Sequence, residues 1–232
     1  HIVVDEAQEL SPMQWRLLMR RCPMKSFTVV GDIAQASSAS AASSWSQALE
    51  PFVGERFTLD ELTINYRTPA QIADAAVAVA REAGYEVSAP RAVREGQWAP
   101  FIHRVPQEHV VAETVQRVSD EVALGDGALI GVVCSPAQYT QVARAVMETH
   151  ADRTGTAEDA VENQVLVLTP WEAKGLEFDV VIIVEPQQLL DDAQGAVGDL
   201  YVSMTRPTQR LHLVGTSMPA GIGAEAAGSA QS

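Results

Sequence analysis

Four short apolar runs constrain the fold more than anything else in the chain: Ile130–Cys134, Val165–Leu168, Val180–Val184 and Leu211–Val214. Each has the length and composition of a strand buried in a sheet. Segments of helical periodicity precede or separate them. Thr68-Pro69 opens a helix that runs to about Ala83 and stops at Gly84. Val110, Val111, Val115, Val118 and Val122 recur at helical spacing between Pro106 and about Leu124, and Gly125-Asp-Gly127 ends that helix. Ser135-Pro136 opens another, to about Thr149. With a further strand over Phe101–Arg104, this alternation predicts an α/β chain built on an open, largely parallel sheet. Ala151 to Glu162 reads as a polar excursion.

The beginning of the chain repeats the pattern on a smaller scale. Ile2-Val-Val4 runs straight into Asp5-Glu6, and Phe27-Thr-Val-Val30 runs into the polar turn Gly31–Gln35. Between them Ser11-Pro12 caps a helix to about Arg21, with Trp15, Leu18 and Met19 at helical spacing. Two strands with polar C-terminal turns around one helix form a βαβ unit, and α/β sheets bind ligands at such turns. Asp5 there suits Mg²⁺, which takes one or two carboxylates and keeps several waters. Glu6 could orient or deprotonate a water attacking a γ-phosphate. The same two acids could equally be a solvated strand end.

Ala36–Ser46 reads as a loop, followed by a short helix over Trp45–Leu49, and Phe57–Ile64 reads as extended. A boundary near Leu59–Leu62 divides the chain into residues 1–60, residues 61–216 and a tail, 217–232, expected to be mostly disordered. His1 opens directly onto a core strand, so flanking elements are expected in N-terminal domains of the same protein.

Net charge is −14, which repels phosphate backbones at long range. Arg16, Arg20, Arg21 and Lys25 cluster against that average and read as a solvated or partner-facing surface. Cys22 and Cys134 are far apart and flanked by apolar residues, so buried thiols in a cytoplasmic protein are expected rather than a disulfide or zinc site. No apolar run has the length of a membrane span.

Five polar motifs follow in order: Asp5-Glu-Ala-Gln8, Gly31-Asp-x-x-Gln35, Asn65-Tyr-Arg67, Ala173-Lys-Gly-Leu-Glu-Phe178 and Tyr201-Val-Ser-Met-Thr-Arg206. Together, at or near strand ends, they resemble motifs II to VI of the superfamily 1 helicases, the UvrD, Rep and PcrA group. The resemblance implies RecA-like (P-loop NTPase) parallel sheets flanked by helices: the C-terminal part of a first RecA-like domain and a complete second one. It implies ATP and Mg²⁺ as cofactors. By resemblance, Asp5 is the Mg²⁺ ligand, Glu6 the catalytic base, and Gln35 the γ-phosphate sensor. Arg67 and Arg206 are arginine fingers, Tyr66 stacks on adenine, and Glu177, beside Gly175, binds the ribose. Taken singly, Arg67 and Arg206 read equally as surface ion pairs, Tyr66 as a core residue and Lys174 as an exposed loop lysine.

The departures narrow the resemblance. No Gly-x-x-x-x-Gly-Lys-Ser/Thr loop occurs in the sequence, so these residues alone are expected not to hydrolyse ATP. Ala36–Ser44 supplies no aromatic platform for single-stranded bases, and Trp171 stands where DNA-translocating relatives usually carry His. Leu10-Ser-Pro-Met-Gln-Trp-Arg16, Arg20-Arg-Cys-Pro23, Thr28-Val-Val-Gly-Asp32 and the run Pro170–Phe178 look like the actinobacterial HelD proteins, helicase-like ATPases that release RNA polymerase from nucleic acid. RNA polymerase is the partner this implies. A 3′-to-5′ DNA helicase of the repair type acting on single-stranded DNA, and a non-catalytic helicase-like scaffold, are the rival readings.

Overall fold

The computed structural model describes residues 1–33, 42, 44–85, 87, 91–156, 163–191 and 196–222. The first strand, β1 (Ile2–Val4), leads through a tight turn at Ala7–Glu9 into helix α1 (Pro12–Arg21). Ser11 accepts a hydrogen bond from the Gln14 amide while Gln14 Oε1 accepts from the Ser11 amide, and Pro12 supplies the preset φ of a first helical residue. Strand β2 (Phe27–Val29) pairs parallel with β1, Val4 opposite Val29, which closes the expected βαβ unit. Helix α2 (Trp45–Val53) continues four residues beyond the predicted Leu49, through Pro51. Trp15, buried to 2%, is the centre of a small core with Val4, Ala7, Ala48 and Leu49.

Of the stretch read as extended, only β3 (Ile64–Asn65) pairs, with β4 (Arg91–Ala92). Between them lies α3 (Ala70–Glu82), ended by Gly84 at φ 80°, a conformation that glycine adopts without steric cost. Then follow β5 (Phe101–Arg104), α4 (Val110–Ala123), β6 (Ile130–Val133), α5 (Pro136–His150), β7 (Thr154–Gly155), β8 (Val165–Leu168), β9 (Phe178–Val184), α6 (Pro186–Asp191), α7 (Ala196–Met204) and β10 (Pro207–Gly215). They build one six-stranded sheet in the order β5-β10-β9-β6-β8-β7, with every pairing parallel.

Both faces of that sheet are covered, as a parallel sheet requires. Val181 and Ile183 of β9 point into a core with Ile72, Ala76, Leu200 and Met204 of α3 and α7. Val180 and Ile182 point the other way, toward Val118, Val142 and Val146 of α4 and α5. Three features escaped the sequence reading. Thr154–Gly155 is an edge strand inside the stretch read as a polar excursion, and α6 and α7 were not anticipated at all. Pro186–Asp191 is too short, and Ala196–Met204 too uniformly apolar, to display a helical stripe. The motif Tyr201–Arg206 therefore lies on a helix C-terminus and runs directly into the start of β10. Within the segment expected to be a disordered tail, Met218 and Ile222 pack against the main core; 223–232 lie outside the described residues. Cys22 and Cys134 are both buried free thiols, and burial pushes that of Cys134 up to about 12.

A polar seam runs where β5 and β10 meet α4. His103 Nε2 lies 3.1 Å from His212 Nδ1, and His212 Nε2 lies 2.8 Å from the Glu121 carboxylate, which Arg210 also engages at 2.9 Å. Burial lowers the His103 pKa to about 4, reinforced by His212 and Arg117 and opposed by Asp120. Glu113 lies 3.3 Å from His103 Nδ1 and 3.1 Å from Arg117 Nε.

Two stability predictions follow from this packing. A Cβ at Gly131 would sit 2.9 Å from Phe178 Cγ in the middle of the sheet, where neither can retreat. Gly131→Ala should cost about 1–3 kcal/mol, read as a lower urea midpoint at unchanged slope. Because the unfolded chain protonates His103 more readily than the fold does, stability is full above about pH 6.5 and falls as the pH drops toward 4. Thermal melts of His103→Gln should show a shallower acid decline than wild type over that window.

Candidate functional site

The C-terminal turns of β1 and β2 are tied together by one side chain. Gln8, 2% exposed, donates through Nε2 to Glu6 Oε2 at 2.6 Å and accepts at Oε1 from the Asp32 amide at 3.1 Å. The register Val4 opposite Val29 makes this contact possible, since it brings residues 5–8 beside Val30–Asp32, with the Ala7 amide donating to Val30 O. Gly31 completes it: a Cβ there would lie 2.4 Å from Gln8 Oε1 and 2.9 Å from the Trp45 ring. Glu6 itself takes a left-handed conformation, φ 49° and ψ 38°, which turns its carboxylate back over the loop. Asp5 is exposed, and its Oδ1 accepts from the Glu6 amide at 2.9 Å.

Opposite stands the second cluster. Asn65 Oδ1 accepts from the amides of Arg67 and Thr68, at 3.0 and 3.2 Å, folding Asn65–Thr68 into a turn at the end of β3. Thr68 Oγ1 then donates to Thr205 O at 3.1 Å, which holds Arg67 next to Arg206. Arg206 is 6% exposed, with Nε donating to Val202 O at 3.2 Å. Burial lowers its pKa, the Arg67 cation adds to that, and the carboxylates of Glu6, Glu177 and Asp32 oppose it. The acids of the β1 and β2 turns are thus near enough to act on this guanidinium electrostatically. Tyr201 lies in the same place: burial and the Asp32 carboxylate push its phenol up to about 12, with Arg206 opposing.

Arg67 and Glu177 pair at 2.6 Å, with side chains 40% and 48% exposed. Glu177 follows a tight turn through Gly175, φ 74°. Tyr66, 76% exposed, is no core residue. Among the residues expected to act together, Glu6, Arg67 and Glu177 are within electrostatic reach of Arg206, and Arg67 pairs with Glu177, while Gln35 lies outside the described residues. No cluster of three or more His, Cys, Asp or Glu side chains suited to a metal occurs among the described residues, and Mg²⁺, which needs few carboxylates, fits Asp5 without one.

The sequence reading missed Gln8, Asp32 and Lys174 as working residues. Lys174 is not an exposed loop lysine: its ammonium contacts Glu9 at 2.5 Å and Asp199 at 3.5 Å and lies 4.9 Å from the centroid of the Trp171 ring. The Lys174 and Glu9 side chains are only 10% and 12% exposed, and they join the two strand systems from opposite ends of the chain. A signal for Gln8 was its place two residues after the Asp5-Glu6 pair at a strand end; no sequence signal identifies Glu9 as the partner of Lys174.

Removing one member of a buried ion pair leaves the other uncompensated. Lys174→Met should therefore lower stability by about 3 kcal/mol in chemical denaturation. The charge-swapped double variant Glu9→Lys/Lys174→Glu should recover part of that loss.

No protein-family model matches the sequence, and no curated protein matches it. Solved structures do. The C-terminal domain of a possible DNA helicase from Lactobacillus plantarum is 21% identical, with a TM-score of 0.51 over 68% of this chain and 92% of that one. The helicase of PRRSV is 14% identical, with a TM-score of 0.48 over 92% of this chain and 34% of that one. At such identities the likeness speaks for the fold alone: a RecA-like, six-stranded parallel sheet between helices.

Proposed function

We propose that this chain is the C-terminal part of an ATP-driven, superfamily 1 helicase-like motor of the HelD type, residues 1–60 ending a first RecA-like domain and residues 61–216 forming a second. The observation that carries the reading is the Arg206 guanidinium, buried to 6% exposure, bonded to Val202 O, and held beside Arg67 by the Thr68–Thr205 contact. The acids Glu6 and Asp32 of the first cluster lie within its electrostatic reach. Phosphoryl transfer needs an acid to handle water, a metal ligand, and cations on the oxygens that gain charge. Glu6, Asp5 and the pair Arg67 with Arg206 supply those roles. Mg²⁺, when bound through Asp5, would neutralise charge on phosphate oxygens.

Gln8 keeps Glu6 in place by donating to one carboxylate oxygen, and the other would take the proton of the attacking water. Arg67 and Glu177 hold one another while remaining partly exposed, so a phosphate and a ribose can take the place of either partner. Tyr66 offers an open ring face for adenine, and Gln35 is assigned γ-phosphate sensing by its motif alone. The phosphate-cradling loop that these residues lack must come from another part of the protein. Closure of the two clusters around ATP and reopening after hydrolysis would be the working stroke. The charge of −14 favours a motor that acts on a protein, RNA polymerase, over one that tracks a nucleic-acid backbone.

In the full-length protein, Glu6→Gln should still bind ATP and turn it over at least about a hundredfold more slowly, the scale of losing a positioned base. Wild-type turnover in that variant would remove Glu6 from the mechanism. Stimulation of turnover by RNA polymerase, and its co-purification, is expected. Strong stimulation by single-stranded DNA instead would transfer the assignment to a repair-type helicase, and absence of turnover to a scaffold.

A further inference from the structure

The basic group that the ATP site does not use lies on α1. Between Leu10 and Gly31 the chain carries Arg16, Arg20, Arg21 and Lys25 and no acid at all, in a protein of net charge −14. Lys25 is committed elsewhere, since its ammonium donates to Phe52 O at the end of α2. The three arginines are exposed and form no hydrogen bond or ion pair with any described residue. Alongside them Met13 is 60% exposed, Leu17 55%, and Met24, just past the helix, 87%. At 100° per residue, Arg16, Arg20, Met13, Leu17 and Arg21 span an arc of roughly 140°, centred opposite the buried Trp15. The inner face of α1 is therefore fully used, and its outer face pairs flexible apolar side chains with unneutralised guanidinium groups.

We propose that this outer face of α1 docks an acidic, amphipathic helical segment of a protein partner. Methionine and leucine along one stripe adapt to the apolar face of a helix, and flanking arginines match carboxylates on its borders. Charge complementarity decides the kind of partner: the patch is cationic where the remainder of the chain is strongly acidic, so an acidic segment is attracted here and repelled elsewhere. A nucleic acid fits less well, because the stripe exposes no aromatic ring for bases and the whole protein repels a polyanion at longer range. The inference stands independently of the ATP reading.

The test uses the whole chain and a fluorescein-labelled 20-residue helical peptide with leucines at three- and four-residue spacing and glutamates flanking them. Fluorescence anisotropy should show saturable binding that weakens at least tenfold in both Arg16→Glu/Arg20→Glu and Met13→Ser/Leu17→Ser, with circular dichroism unchanged. These sites are exposed, so both variants should fold. Loss in the arginine variant alone, with equal binding of polyglutamate, would reduce the patch to nonspecific charge and overturn the proposal. So would tighter binding of a single-stranded 20-nucleotide DNA, or a concentration-dependent dimer abolished by Met13→Ser/Leu17→Ser.

Discussion

A guanidinium taken out of water must be compensated, and the position of Arg206 imposes that demand on everything around it. At 6% exposure its guanidinium donates to the backbone oxygens of Val202 and Leu176, and the carboxylates of Glu6, Glu177 and Asp32 act on it from a distance, against the opposing push of Arg67. Two of those acids, Glu6 and Asp32, come from a separate small sheet. Charge balance at Arg206 therefore adds to the Lys174–Glu9 ion pair that joins the two strand systems.

The βαβ topology prepares that arrangement before any side chain is considered. Parallel strands β1 and β2 end on the same side, so their turns are neighbours, and the Gln8 side chain converts that neighbourhood into one rigid loop pair. The absence of a Cβ at Gly31 is part of the same construction. In the large sheet, the turn between β8 and β9 carries Lys174, Gly175 and Glu177, so one short segment both grips Glu9 and pairs with Arg67.

Much of this was legible residue by residue. Apolar runs such as Val165–Leu168 and caps such as Ser11-Pro12 are local signals, and both became the expected elements. Helix α7 was illegible because Ala196–Met204 is largely buried and only Asp199 and Ser203 interrupt its apolar surface, too little to mark a helical stripe. The role of Lys174 was illegible for a different reason. Its partner Glu9 lies 165 positions away, and nothing short of the folded chain brings them together.

By itself the sequence determined the alternation of strands and helices, the parallel sheet, and the order of acidic and cationic motifs, because hydrophobic period, caps and turn residues act over a few neighbouring positions. Only the tertiary structure decided which charges meet. Whether Arg206 is buried or solvated, whether Tyr66 is core or exposed, and which acid Lys174 engages depend on strand register and on packing between distant segments, and electrostatic energy follows distance in space, not spacing along the chain.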